Sequence, residues 1–150
     1  MNEALIETWQ IHDRIHRFLL DEIANEALDS ALFPRGRTVR DLFAHIHNVR
    51  LMWLQTAAPD LQEPLTKLEK GNGADRSTLA EALEASGAAI ATLIGRGDRV
   101  KGFKPHTTAF VGYLISHESH HRGQMEWALR HAGHGLTDKT SYGLWEWGVR

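Results

Sequence analysis

The chain contains no cysteine, and this absence removes several kinds of site at once. Disulfides, thiolate metal ligands, cysteine nucleophiles and iron–sulfur clusters are all excluded. The chain also lacks a large excess of either charge, because 17 Lys and Arg against 19 Asp and Glu give a formal net charge of −2. Without an excess of basic residues, we expect no nucleic-acid partner.

Long apolar runs are missing as well. No segment approaches the roughly 18–20 apolar residues that a membrane span needs, so we expect no membrane partner. The first residues show no basic segment followed by an apolar one, and without such a signal we expect a cytoplasmic location. The 150 residues are 42% hydrophobic and 24% charged, which is typical of a globular protein. Residues 1–150 are therefore predicted to form a single domain.

Helical periodicity accounts for most of the chain. Apolar residues recur at three- and four-residue spacings in four segments, at about 3–27, 38–57, 78–94 and 107–132. Thr38 with Asp41, and Thr78 with Glu81, resemble capping boxes that would start the second and third helices. Four amphipathic helices without a strand pattern predict an all-α fold, an antiparallel four-helix bundle.

The fourth helix carries the most informative histidines among the ten in the chain. His117 and His121 are one turn apart and lie about 20° on either side of the axis of the apolar stripe. Two imidazoles in this arrangement can bind one metal ion. On the second helix, His45 lies at the inner flank of the stripe, whereas His47 is predicted to face solvent. His45 is therefore the candidate for a third ligand, and three histidines would leave one coordination position open.

Other residues of these helices admit two interpretations. The segment HESHH formally fits the H-E-x-x-H motif, in which Glu118 would be the base of a metal-assisted hydrolase, although its helical-wheel angle places it on a flank. His12 and His16 lie one turn apart on the stripe of the first helix. They are either hydrogen-bonded core residues or groups that support the metal ligands, contact substrate or relay protons.

Two further groups of side chains are expected to be structural. Trp145 and Trp147 are predicted to pack against one end of the bundle. Arg50 and Arg122 are predicted to lie on solvated faces or in ion pairs.

Two segments resemble motifs of the DinB/YfiT-like superfamily. Residues 113–125, YLISHESHHRGQM, are similar to its HxxxHRGQ helix, and residues 38–46, TVRDLFAHI, resemble its second-helix motif with a single histidine. The resemblance implies a four-helix bundle, commonly a homodimer, that carries a divalent metal, typically zinc or nickel. The three metal-binding histidines of the family correspond to His45, His117 and His121.

The resemblance also suggests an activity. Characterised members are transferases or isomerases that use low-molecular-weight thiols such as bacillithiol or mycothiol. The first hypothesis is therefore a metal-dependent enzyme that acts on a small-molecule substrate with a small thiol, with His12 or His16 as proton donor or acceptor. The alternatives are a metal-dependent hydrolase and a non-catalytic protein of the stress response that binds a metal or small ligand.

Overall fold

The computed structural model describes residues 2–69 and 73–150, and within these ranges it contains helices and no strand. The all-α prediction is therefore confirmed. The α-helices are α1 (Glu3–Asp21), α2 (Val39–Ala57), α3 (Pro59–Gln62), α4 (Arg76–Gly95), α5 (Thr107–His131) and α6 (Asp138–Gly143). One short 3₁₀ helix follows α1 at Asn25–Asp29, and another follows α6 at Trp147–Val149. None of the helices in these ranges has the length and apolarity to cross a membrane.

The four long helices pack as a bundle. Helix α1 packs against α4 and α5, and α2 packs against the same two helices from the other side. Each long helix therefore contacts two long neighbours, and α5 presents one side to α1 and another to α2. This arrangement is the helical bundle that the periodicity predicted.

The helix starts follow local capping chemistry. At α2 the predicted capping box is present, because the Thr38 hydroxyl accepts a hydrogen bond from the Asp41 amide and the Asp41 carboxylate accepts one from the Thr38 amide. Helix α4 starts earlier than predicted. The Asp75 carboxylate accepts the Thr78 amide proton at 2.8 Å and caps the helix, so the predicted start at Thr78 is wrong.

The first helix and the C-terminal tail also differ from expectation. Helix α1 ends at Asp21 rather than near residue 27, and the chain continues into the 3₁₀ turn. In the tail Leu144 is the buried residue, and Trp147 packs partly against the core. Trp145 is 71% exposed, so its predicted packing against the end of the bundle is wrong. Helix α6 turns the neighbouring Leu144 inward instead.

The apolar core consists of two clusters that lie at different heights along the helices. The first contains Ile15, Leu19, Phe43, Leu79 and Met125 among others. The second contains Trp9, Leu54, Ile90, Phe110 and Leu114 among others. Between the two clusters lies a layer of buried polar side chains from all four long helices. We call it the polar layer: His12, Asp13, His16, Arg50, Ser86 and Glu118.

Close approach of α4 to α1 depends on a glycine. The indole N–H of Trp9 donates to the Gly87 carbonyl at 2.9 Å, which holds the two backbones together. A Cβ at Gly87 would lie 2.6 Å from the Asp13 carboxylate, well inside van der Waals contact. Neither side can give way easily, since Asp13 is buried and engaged with Arg50.

We therefore expect Gly87→Ala to destabilise the fold by about 1–3 kcal/mol, the usual effect of overpacking a core. Gly112→Ala is the matched control, because Gly112 is also helical and its Cβ would meet nothing within 4 Å. That substitution should be neutral or slightly stabilising. Urea unfolding followed by circular dichroism measures both variants, and equal stability of the two would contradict the predicted clash.

Candidate metal centre

Helices α2 and α5 bring His45, His117 and His121 together. The Nε2 atoms of His117 and His121 are 3.2 Å apart, as expected for residues one turn apart on α5. The His45 ring centre lies 5.4 Å from that of His117 and 4.6 Å from that of His121. One ring nitrogen from each residue lies within 4.8 Å of the other two, which is close enough for a single metal ion.

The protonation of these rings suits metal binding. The Gln124 Oε1 atom accepts a hydrogen bond from His121 Nδ1–H at 2.8 Å, which leaves the lone pair of His121 on Nε2, facing the other histidines. Burial, with a contribution from Arg37, lowers the pKa of His45 to about 4. Burial also lowers the pKa of His117 and of His121. All three rings are therefore neutral near pH 7, the form that binds metals.

The histidine group is partly open to solvent, although His121 is buried. His45 and His117 are half-buried, and His45 lines a cavity of about 120 Å³ together with Asp41, Asn48 and Leu68. Within residues 2–69 and 73–150, the group offers three ligands and no fourth. Three protein ligands beside a cavity are typical of a catalytic metal site, in which the remaining position takes water or substrate.

A second group with metal-binding side chains lies in the polar layer. His12 Nε2 is 3.1 Å from His16 Nε2 and 3.1 Å from Glu118 Oε1, and His16 Nε2 is 3.3 Å from the same oxygen. All three side chains are buried. By ligand type and spacing alone, this group could also hold an ion.

Arg50 distinguishes the second group from the first. Its Nε donates to Glu118 Oε2 at 2.9 Å and one terminal nitrogen donates to Oε1 at 2.7 Å, so both oxygens of the carboxylate are engaged. The other terminal nitrogen donates to Asp13 at 2.9 Å. A divalent ion on Glu118 would lie beside this fully buried guanidinium and be repelled by it. The contacts therefore favour a buried ion-pair network over a metal centre.

The charges in this network stabilise one another. Burial alone would raise the pKa of Glu118, but Arg50 outweighs that effect and holds it well below its usual value. Burial likewise opposes the charge of Arg50, whereas Glu118 and Asp13 raise its pKa above the usual range. Burial, reinforced by His12, lowers the pKa of His16 to about 3, so this ring is neutral. Glu118 is thus an ionised carboxylate that is fixed in place.

Two sequence predictions are corrected here. His47 does not face solvent: it is 1% exposed, and its Nε2–H donates to the Thr66 carbonyl at 2.8 Å. The chain after α3 folds over this side of α2, which a helical wheel for α2 alone cannot show. Glu118 is not on an open flank but 1% exposed, because α5 packs against α1 as well as α2.

For Arg50 the sequence predicted either a solvated face or an ion pair, and the structure shows a buried ion pair. A signal for its burial was available, because Ile46, Arg50 and Leu54 are spaced at i, i+4 and i+8 and so lie on one stripe of α2. An arginine on the apolar stripe indicates a buried partner of opposite charge.

A comparison with protein families agrees with this fold. The model described as DinB family matches residues 1–146. The chain belongs to the DinB family. The match confirms the predicted resemblance to this family, and it covers every long helix of this DinB-family bundle. A search among curated proteins finds no match.

In this DinB-family chain we expect Arg50→Met to lower the free energy of unfolding by about 3–5 kcal/mol, because it removes the buried positive charge that Asp13 and Glu118 share. Chemical denaturation measures the change. Arg96→Met is the control, since Arg96 forms an ion pair with Asp60 on the surface, and its loss should have no measurable effect. An Arg50 variant as stable as the Arg96 variant would mean that the network does not hold the bundle together.

Proposed function

We propose that this DinB-family protein is a metal-dependent enzyme in which His45, His117 and His121 bind a divalent ion, zinc or nickel, and which acts with a small thiol. The reaction is a thiol S-transfer or isomerisation. The observation that carries the proposal is the convergence of three neutral imidazoles beside a cavity, with no fourth ligand among the described residues.

The composition of the chain supports an external thiol. A bound divalent ion supplies a Lewis acid that lowers the pKa of a thiol or water. The chain has no cysteine, so a sulfur nucleophile must come from a second small molecule. A cavity beside His45 provides the space for such a ligand.

The remaining side chains of the site position the ligands. Gln124 orients His121 through the Nδ1 hydrogen bond, so that Nε2 faces the other two rings. Glu118 follows His117 directly and is fixed by Arg50, and this contact sets the rotation of α5 at the site. His12 and His16 contact Glu118 from α1, and we assign them to the same positioning role.

Burial disfavours Glu118 as the base of a hydrolase. A general base must reach the proton that it removes, directly or through one water molecule. Glu118 is 1% exposed and both of its oxygens are bound by Arg50. A non-catalytic metal-binding protein is disfavoured by the cavity beside the histidines, because structural sites are usually closed by a fourth ligand.

We expect His117→Ala and His121→Ala each to abolish stoichiometric metal binding, because two imidazoles hold a divalent ion far more weakly than three. Metal content by plasma mass spectrometry, with circular dichroism to verify folding, measures the effect. His120→Ala is the matched control, since His120 lies on the same helix but is exposed, and it should retain the metal. His16→Ala tests the polar layer. If a folded His16 variant lost the metal and the His121 variant kept it, the metal would be bound by the group in the polar layer, and the proposed three-histidine site would be wrong.

The reaction itself is tested with the metal-loaded protein. We expect it to transfer a small thiol to an electrophile such as an aryl chloride at least tenfold faster than the His45→Ala variant, which lacks one ligand. Absorbance of the thioether product reports the rate, and His120→Ala should react like the wild type. If metal-loaded protein hydrolyses esters but transfers no thiol, the hydrolase is the correct function.

A further inference from the structure

Arg37 lies between two cavities at the candidate metal centre. One is the cavity of about 120 Å³ that His45 also lines. The other, of about 200 Å³, is lined by Gln124, the residue that orients His121, and by apolar residues such as Phe33 and Leu42. Arg37 is the residue that the two linings share. A ligand in either cavity would therefore meet this guanidinium.

The backbone of Arg37 is held in place by a closed loop. Ala31 and Thr38 form an isolated β-bridge, and the Val39 amide donates to the Ser30 carbonyl at 2.9 Å. Arg37 directly precedes Thr38, the residue that caps α2. The same helix carries His45 two turns further on, so the loop and the metal ligand share one rigid support.

Apart from the candidate ligand His45, the other polar side chains of the smaller cavity are already engaged. The Asp41 carboxylate accepts the Thr38 amide proton in the capping box. The Asn48 side chain donates to the Leu68 carbonyl at 2.7 Å and accepts from the Leu68 amide at 2.9 Å. Arg37 differs from both. Over the described ranges of the chain, no carboxylate lies within ion-pair distance of it.

The charge of Arg37 lies beside the candidate metal centre. Arg37 and His45 line the same cavity, and Arg37 lines the second cavity together with Gln124, which accepts the hydrogen bond from His121. The Asp41 carboxylate lines the smaller cavity but caps α2 and forms no ion pair with Arg37, so an anionic group on a ligand would be attracted to the guanidinium. A planar guanidinium is well suited to a carboxylate, which it can bind through two parallel hydrogen bonds.

We propose that Arg37 binds a carboxylate of the thiol or substrate whose other end reaches the metal centre, so that the enzyme selects carboxylate-bearing ligands. The inference rests on the proposed metal site and adds to it the chemical class of the ligand. Arg37 is here a specificity-determining residue that contacts the ligand away from the reacting atom.

The test compares two thiols of matched length on the cobalt(II)-loaded protein. 3-Mercaptopropionate carries a carboxylate, and 3-mercapto-1-propanol carries a hydroxyl in its place. Binding of either thiol to cobalt is followed by the visible absorption spectrum, which requires no turnover. We expect the wild type to bind the carboxylate about tenfold more tightly, the usual gain from a hydrogen bond to a charged group. In Arg37→Gln that preference should disappear, while the affinity for the neutral thiol is unchanged.

Arg35→Gln is the matched control. Arg35 and Arg37 are both exposed and lie two residues apart in the same loop, but Arg35 lines neither cavity. Its variant should keep the wild-type preference. The inference is overturned if the wild type shows no preference, if Arg37→Gln retains it, or if Arg35→Gln loses it equally. If the wild type does not bind cobalt, the proposed metal site is wrong, and the inferred ligand class is wrong with it. If it binds cobalt without preferring the carboxylate, only the ligand class is wrong.

Discussion

The buried guanidinium of Arg50 is the interaction on which the bundle depends. It reaches from α2 to Asp13 on α1, to the Leu83 carbonyl on α4 and to Glu118 on α5. It also lies over the Trp9 ring, 4.9 Å from the ring centre. A buried charge is tolerated only when its partners are fixed, so these contacts restrict how the four helices can slide along one another. The apolar clusters above and below supply the burial, while the polar layer between them sets the register.

This register connects the bundle to the candidate metal centre. His117 and Glu118 are consecutive on α5 and therefore point about 100° apart. His117 faces the histidines of the site, and Glu118 faces Arg50 and the α1 histidines. Fixing one side chain fixes the rotation of the helix, and hence the direction of the other. The ion-pair network and the metal ligands are thus two sides of one helical turn.

The periodicity of the sequence was enough to predict the four long helices and the convergence of the fourth-helix histidines, because spacing along one helix decides both. The predictions that failed concerned side chains whose burial depends on a second segment of the chain. The burial of His47 requires residues near Thr66 to fold back over α2. The burial of Glu118 requires α5 to have two long neighbours, whereas a helical wheel assumes a single buried face. The earlier start of α4 follows from Asp75, whose carboxylate accepts the Thr78 amide proton and so caps the helix three residues before the predicted cap.

The contact between Gly87 and Asp13 links positions that are far apart in sequence. The carboxylate occupies the space that a side chain at position 87 would need. A larger residue at position 87 can therefore be accepted only with a smaller one at position 13, but that change would also remove a partner of Arg50. Substitutions at positions 13, 50 and 87 are thus expected to covary among related sequences rather than to occur independently.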